Sequence, residues 1–326
     1  MLNRRSFTQS LLALSCVPGA TSPALAQAGW PNRPIKVLVP SAAGGSADFW
    51  ARFMCERLAA ALKQPFVVEN RPGASGMLVT TALAQAKPDG YTLAMSFASA
   101  LVPTMTLEPN AKHNWTDLQP IARFGSLGGM IVVTPDVPAR NLKELVAYIQ
   151  ANPGKLSYAT YGVASGPHIA MEALKKMAGL DIQHVPYPGS AKILTELQGG
   201  VIKIAATDPV SPMPFLKQGT LFGIAVNGPS RLPATPDVPT MAEEGYPIFM
   251  PSWYGFFGPK GLPRPIVDRI NAEVKKIMAD PETLERFKSS NTATSEHLSP
   301  EQFSAFIKSE VDEWGKFIRE GKMVKE

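Results

Sequence analysis

Cysteine is scarce in this chain of 326 residues: there are two, Cys16 and Cys55. That excludes a multi-cysteine metal site and any framework of disulfides. Histidine is equally sparse, with His113, His168, His184 and His297, and neither H-E-x-x-H nor H-x-H occurs. His168 and Glu172 can share a helix face, but two ligands fall short of a zinc site, so neither metal nor cofactor is expected. No G-x-S-x-G elbow, G-x-G-x-x-G fingerprint or P-loop is present. Apart from a short N-terminal run, nothing approaches 18 consecutive apolar residues, so no membrane span is expected. Charge is thin as well: 18% of residues are charged and the formal net charge is +5. That is too mild and too dispersed for nucleic acid. No fixed-period repeat, low-complexity run or long charge block appears.

The first 26 residues read as an export signal. Arg4-Arg5 make a basic start, Leu11 to Val17 an apolar core, and Ala24-Leu25-Ala26 an A-x-A cleavage site. Asn3 to Thr8 also resembles a twin-arginine signal. Cys16 raises a lipoprotein reading, although Ala13 stands where a lipobox expects Leu. Cleavage after Ala26 leaves 30 basic and 27 acidic residues, a net charge of +3, and Cys55 as the one thiol. About 300 mature residues point to two domains.

Strand and helix patterns alternate along the rest. Strands are expected at 35–39, 66–69, 92–96, 121–124, 130–133, 156–159, 182–184, 202–207 and 222–226. Helices are expected at 48–61, 75–86, 142–151, 167–178, 190–198, 263–278, 281–289 and 300–320. This predicts an α/β fold with mostly parallel sheets. The 31 prolines concentrate in connections. The last helix carries one apolar stripe, Phe303, Phe306, Ile307, Val311, Trp314, Phe317 and Ile318, read as core.

Residues 35–52 are the richest in information. Ile35 to Val39 is a β-rich run that stops at Pro40. Ser41-Ala42-Ala43-Gly44-Gly45-Ser46 is a loop almost without side chains, and a helix pattern follows. Strand, glycine loop and helix start point free N–H groups at an anion, aided by about half a positive charge from the helix end. A plain βα turn competes on even terms. On the anion reading, a branched side chain at Gly45 would block the backbone and penalise a positive φ. Ser165 and His168 suggest a nucleophile and base, but Ser165 reads better as the cap of the helix starting near Pro167. His184 reads as a hydrogen-bonded structural histidine. Asp208 closes an apolar strand, on the side of a sheet where ligands bind, or forms a turn there.

Eight segments in order resemble one family. They are Trp30-Pro31 to Pro34-Ile35; Val39-Pro40, Gly44-Gly45, Asp48 and Ala51-Arg52; Val67 to Ala74 with Gly76; and Pro88 to Leu93. Then follow Tyr158 to Gly162 with His168; His184 to Tyr187 with Gly189; Arg231 to Thr240; and Trp253 to Phe256. Across the whole mature chain this resembles the periplasmic substrate-binding proteins of tripartite tricarboxylate transporters, the Bug family. Ala43 departs from the Pro that the family often has before Gly-Gly.

The resemblance implies a two-lobe type II periplasmic binding fold with a hinge and a ligand cleft between the lobes. Lobe one would be 27–127 plus 251–326 and lobe two 128–250. It implies a small carboxylate ligand held by backbone amides and waters, without an arginine clamp. The contacts would come from Ser41 to Ser46, from Phe97, Ala98 and Ser99 after Met95, and from Thr160, Tyr161, Gly162, Ser165 and His168, with Asp208 beside them. The protein would be a periplasmic monomer that passes its ligand to integral-membrane transporter subunits. Dicarboxylates, tricarboxylates, acidic amino acids and aromatic acids stay open. Phe49, Trp50, Phe97, Tyr161 and Tyr187 are candidates to line a pocket for an aromatic acid. An exported α/β hydrolase using Ser165 and His168, or a ligand-sensing partner of a membrane kinase, are the alternative readings.

Overall fold

Two five-stranded sheets organise the described residues. The computed structural model describes residues 29–73, 76–101, 114–249 and 252–317; the export-signal reading, Cys16 included, lies outside them. The first sheet holds β1 (Ile35–Val39), β2 (Phe66–Asn70), β3 (Thr92–Phe97), β4 (Leu118–Leu127) and β10 (Ser252–Pro259), in the order β2-β1-β3-β10-β4. The second holds β5 (Met130–Val133), β6 (Ser157–Thr160), β7 (Gln183–Pro186), β8 (Ile204–Thr207) and β9 (Phe222–Val226), in the order β7-β6-β8-β5-β9.

The expectation of mostly parallel sheets needs correction. β1 runs parallel to β2 and β3, and β6 to β7 and β8, but β10 and β5 are antiparallel to both their neighbours. The cause is the chain crossing between lobes. β5 leaves the first lobe directly after β4, and β10 returns after the second sheet is built. Each enters its sheet against strands laid down by βαβ crossovers.

Every sheet is covered on both faces. In β1, Val37 and Val39 face α1 (Ser46–Leu62), α8 (Arg264–Ala279) and α9 (Pro281–Ser289), while Leu38 faces α2 (Met77–Ala84), α3 (Ala98–Leu101) and α10 (Pro300–Phe317). In β5, Ile131 and Val133 face α4 (Leu142–Gln150) and α5 (Gly166–Ala178). Met130 and Val132 face α6 (Ser190–Gln198) and α7 (Met213–Lys217). Strands buried on two sides become continuous apolar runs, which is why these were readable. Phe303 and Ile307 of the last helix are fully buried; the Trp314 and Phe317 side chains and Ile318 lie outside the described residues.

Among the described strands and α-helices, three escaped the pattern reading: β10, α3 and α7. β10 reads Ser-Trp-Tyr-Gly-Phe-Phe-Gly-Pro, flanked by prolines and interrupted by glycine, both signs of a loop. The structure shows why glycine stands there. A Cβ on Gly255 would lie 2.6 Å from Phe303 Cζ, so α10 packs against bare backbone. The crossover after β4 uses the same device: a Cβ on Gly128 would lie 2.8 Å from the Gly228 amide nitrogen.

Gly255→Ala should therefore destabilise the protein by about 1–3 kcal/mol through overpacking. Denaturant unfolding should show a lower midpoint at unchanged slope, and Phe303→Leu in the same chain should recover part of the loss.

Candidate functional site

The loop between β1 and α1 is shaped by one carboxylate. Asp48, buried in the first turn of α1, accepts the Gly44 amide at 3.0 Å on Oδ2. On Oδ1 it accepts Arg52 Nε and Asn70 Nδ2, each at 2.9 Å. Asn70 also donates to the Ser41 carbonyl at 3.1 Å. Burial pushes the Asp48 carboxyl up, but bonds from Arg52, Gly44 and Asn70 outweigh it, and the group sits below the ordinary carboxylate range. Gly45 is the N-cap of α1 at φ −85°, so a branched side chain there meets no positive-φ penalty; it is Gly44 that adopts φ +82°. The hydrogen bond to Asp48 turns Gly44 over and leaves Gly45 extended. The amides of Gly45, Ser46 and Ala47 stand in the first turn, where no helical carbonyl precedes them.

The second lobe offers a similar helix start. Asp208, at the end of β8, is 2% exposed. It accepts the amides of Val210 and Ser211 at 2.9 and 2.8 Å, Ser211 Oγ at 2.9 Å, and the Ser190 hydroxyl. Turn formation and a place in the cleft are thus both its lot. Ser190 opens α6 behind Gly189. The lobes meet here: a Cβ on Gly44 would lie 3.7 Å from Ala191 Cβ, and one on Gly189 would lie 3.5 Å from Ala42 Cβ.

Between these helix starts lies an opening of about 500 Å³. Ser41, Ala42, Gly45, Ser46, Phe97, Tyr161 and Asp208, all expected from the sequence, line it. So do Gly189, Ser190, Ser252 and Tyr254, which were not expected. Ser46 Oγ and Tyr254 Oη are 2.8 Å apart. Burial, then the Asp208 charge, pushes the Tyr161 and Tyr254 phenols far up, so both stay protonated. An adjoining opening of about 910 Å³ is lined by Phe97, Ser99, Tyr161, Gly162, Val163, Ser165 and Tyr187, among others. Among the described lining residues of both, Asp208 is the one charged side chain. Of the five aromatic candidates, Trp50 is fully buried and Phe49 packs on the same core, which removes both from the openings.

Ala43, Gly44, Ala98, Thr160 and His168 line neither opening. Thr160 is fully buried, with Oγ1 2.7 Å from His184 Nε2. His168 turns inward and stacks on His184, with ring centroids 4.0 Å apart, and its Nδ1 accepts the Ala164 amide at 3.1 Å. Ser165 Oγ accepts the His168 backbone amide at 3.4 Å, the capping role the sequence suggested. Among the described residues, no group of three or more His, Cys, Asp and Glu is placed to hold a metal, and no helix is long and apolar enough to cross a membrane. Gly189-Ser190 repeats the logic of the 41–46 loop, a glycine before a helix start, and was findable on that signal. Tyr254 was not, because only the sheet brings it 208 positions back to Ser46.

Comparison with known proteins gives a consistent result. The sequence model of the tripartite tricarboxylate transporter family receptor, TctC, matches residues 50–323. Protein BugT of Bordetella pertussis is 33% identical over 89% of this chain and 90% of its own. The solved periplasmic binding protein BugD is 31% identical, with a TM-score of 0.85 over 91% of this chain and all of its own. R. palustris Rpa4515 with adipate is 27% identical, with a TM-score of 0.85 over 89% of this chain and 97% of its own.

Two consequences are measurable. Asp48→Ala strands the Gly44 amide, Arg52 and Asn70 together and should lower stability by about 1–3 kcal/mol, seen as a lower melting temperature. For His184, burial comes first and its neighbour His168 second in pushing its pKa from 6.5 down to about 4. The unfolded chain therefore takes up the proton first, and stability should fall as pH drops from about 6.5 to about 4. Melting temperatures across that window should flatten in His184→Gln; an unchanged slope would show that another group carries it.

Proposed function

The chain belongs to the receptor family of the tripartite tricarboxylate transporters, and on that premise we propose that it captures a small organic carboxylate in the inter-lobe cleft. After export to the periplasm it hands this ligand to integral-membrane transporter subunits. The observation that supports the reading is the facing pair of helix starts. α1 presents the amides of Gly45 to Ala47, α6 begins opposite at Ser190, and both border one opening of about 500 Å³. The neutral Tyr161 phenol and whichever hydroxyl of the Ser46–Tyr254 pair is not spent on their mutual bond add donors to a carboxylate seated there. Asp208 holds the Ser190 end and, with its oxygens occupied by four donors, adds its charge without adding an open acceptor.

A hydrolase is the poorer reading. The bond between Ser165 and His168 runs from the histidine's backbone amide, and the ring Nδ1 accepts from Ala164. A general base must instead face the nucleophile's hydroxyl with a ring nitrogen.

Calorimetry of the mature protein with EDTA present, against malate, adipate, citrate, glutamate and benzoate, should give saturable binding of at least one acid. Strict dependence on a divalent metal would defeat the proposal. So would steady turnover of ester or amide substrates that disappears in Ser165→Ala.

A further inference from the structure

We propose that Asn291 is a positioning residue that biases the ligand-free protein towards the arrangement in which the two lobes meet over the cleft. Asn291 follows α9 in the first lobe, is fully buried and sits at φ +56°, a conformation that Asn tolerates better than most residues. Among the described residues, the hydrogen-bond partners of its side chain all lie in the second lobe. Oδ1 accepts the Ala234 amide at 2.8 Å, while Nδ2 donates to Thr235 Oγ1 at 3.0 Å and Met213 Sδ at 2.9 Å.

Its backbone, by contrast, stays with the first lobe. The Asn291 amide donates to the Lys288 carbonyl at 3.3 Å. Two residues on, Ala293 exchanges two backbone bonds with Ser126 of β4, at 2.7 and 2.8 Å. Between them, Thr292 Oγ1 accepts Trp50 Nε1 at 3.1 Å, and Trp50 belongs to α1, whose first turn lines the opening. A residue held rigidly on one body has thus committed its whole side-chain amide to the other. Separation of the lobes at this point removes the partners of Asn291 and of the Ala234 amide at once. Three bonds of ordinary net strength shift a two-state equilibrium by about tenfold or more.

The test needs no ligand, so it stands or falls apart from the carboxylate reading. Spin labels go on Leu78→Cys in the first lobe and Met177→Cys in the second, each 52% exposed. Cys16→Ser removes one native thiol, and Cys55 is too buried to react. Asn291→Gly keeps the left-handed backbone and deletes the three bonds. It should move the ligand-free distance distribution towards longer separations, with the ratio of the two populations changing about tenfold. Thr235→Val, which removes one acceptor from the opposite lobe, should move it the same way by less. A distribution unchanged in both variants overturns the proposal. So does a drop in the melting temperature of Asn291→Gly without any change in distance. If Asn291→Gly fails to fold, the Thr235→Val distribution alone decides.

Discussion

The Asp48 carboxylate is the interaction on which the site depends. A loop of Ser, Ala and Gly has no side chains with which to fix its own shape, so its neighbours must fix it. Asp48 takes the Gly44 amide, and Asn70, itself bonded to Asp48, takes the Ser41 carbonyl. The loop's polar groups are thereby divided. One amide and one carbonyl are spent on shape, and the amides of Gly45 to Ala47 are left for the cleft. The position of Asp48 in the first turn of α1 suits the positive end of the helix as well.

To the carboxylate proposed for it, the cleft offers no countercharge. No lysine, arginine or histidine occurs among its described lining residues, and its one charged group is a carboxylate. Attraction must come from helix starts and neutral donors, whose fields fade within a turn of helix. Such a site discriminates by contact and shape more than by long-range steering, and salt should affect it little compared with a lysine-lined cleft. Burial and the Asp208 charge both work to keep the Tyr161 and Tyr254 protons in place. The acidic residue that would repel an anion at a distance thus also keeps two phenols protonated at close range.

Much of this was legible in the chain. The doubly buried strands announced themselves as apolar runs, and the 41–46 loop showed its lack of side chains directly. Family resemblance, borne out by the matched family model, supplied the two-lobe arrangement that local patterns alone could not. What stayed hidden depended on distant packing. β10 looks like a loop because Gly255 is there to admit Phe303. The inward turn of His168 depends on the His184 ring 16 residues away. The placing of the positive φ at Gly44 rather than Gly45 follows from which amide Asp48 reaches, a matter of ångströms that spacing does not encode.

The 41–46 loop and the crossover between lobes are not independent parts. α1 carries Asp48 on its first turn, holding the loop, and Trp50 half a turn later, bonded to Thr292. Thr292 precedes Ala293, which is laced to Ser126 at the end of β4, where the chain leaves for the second lobe. A ligand that touches the first amides of α1 therefore touches a body whose other end is the crossover. Gly189 and Ser190, which line the same opening, belong to the opposite lobe. A small molecule placed between the two would make all its contacts only with the lobes together, and that difference in contact is the free energy by which a ligand would favour a closed arrangement.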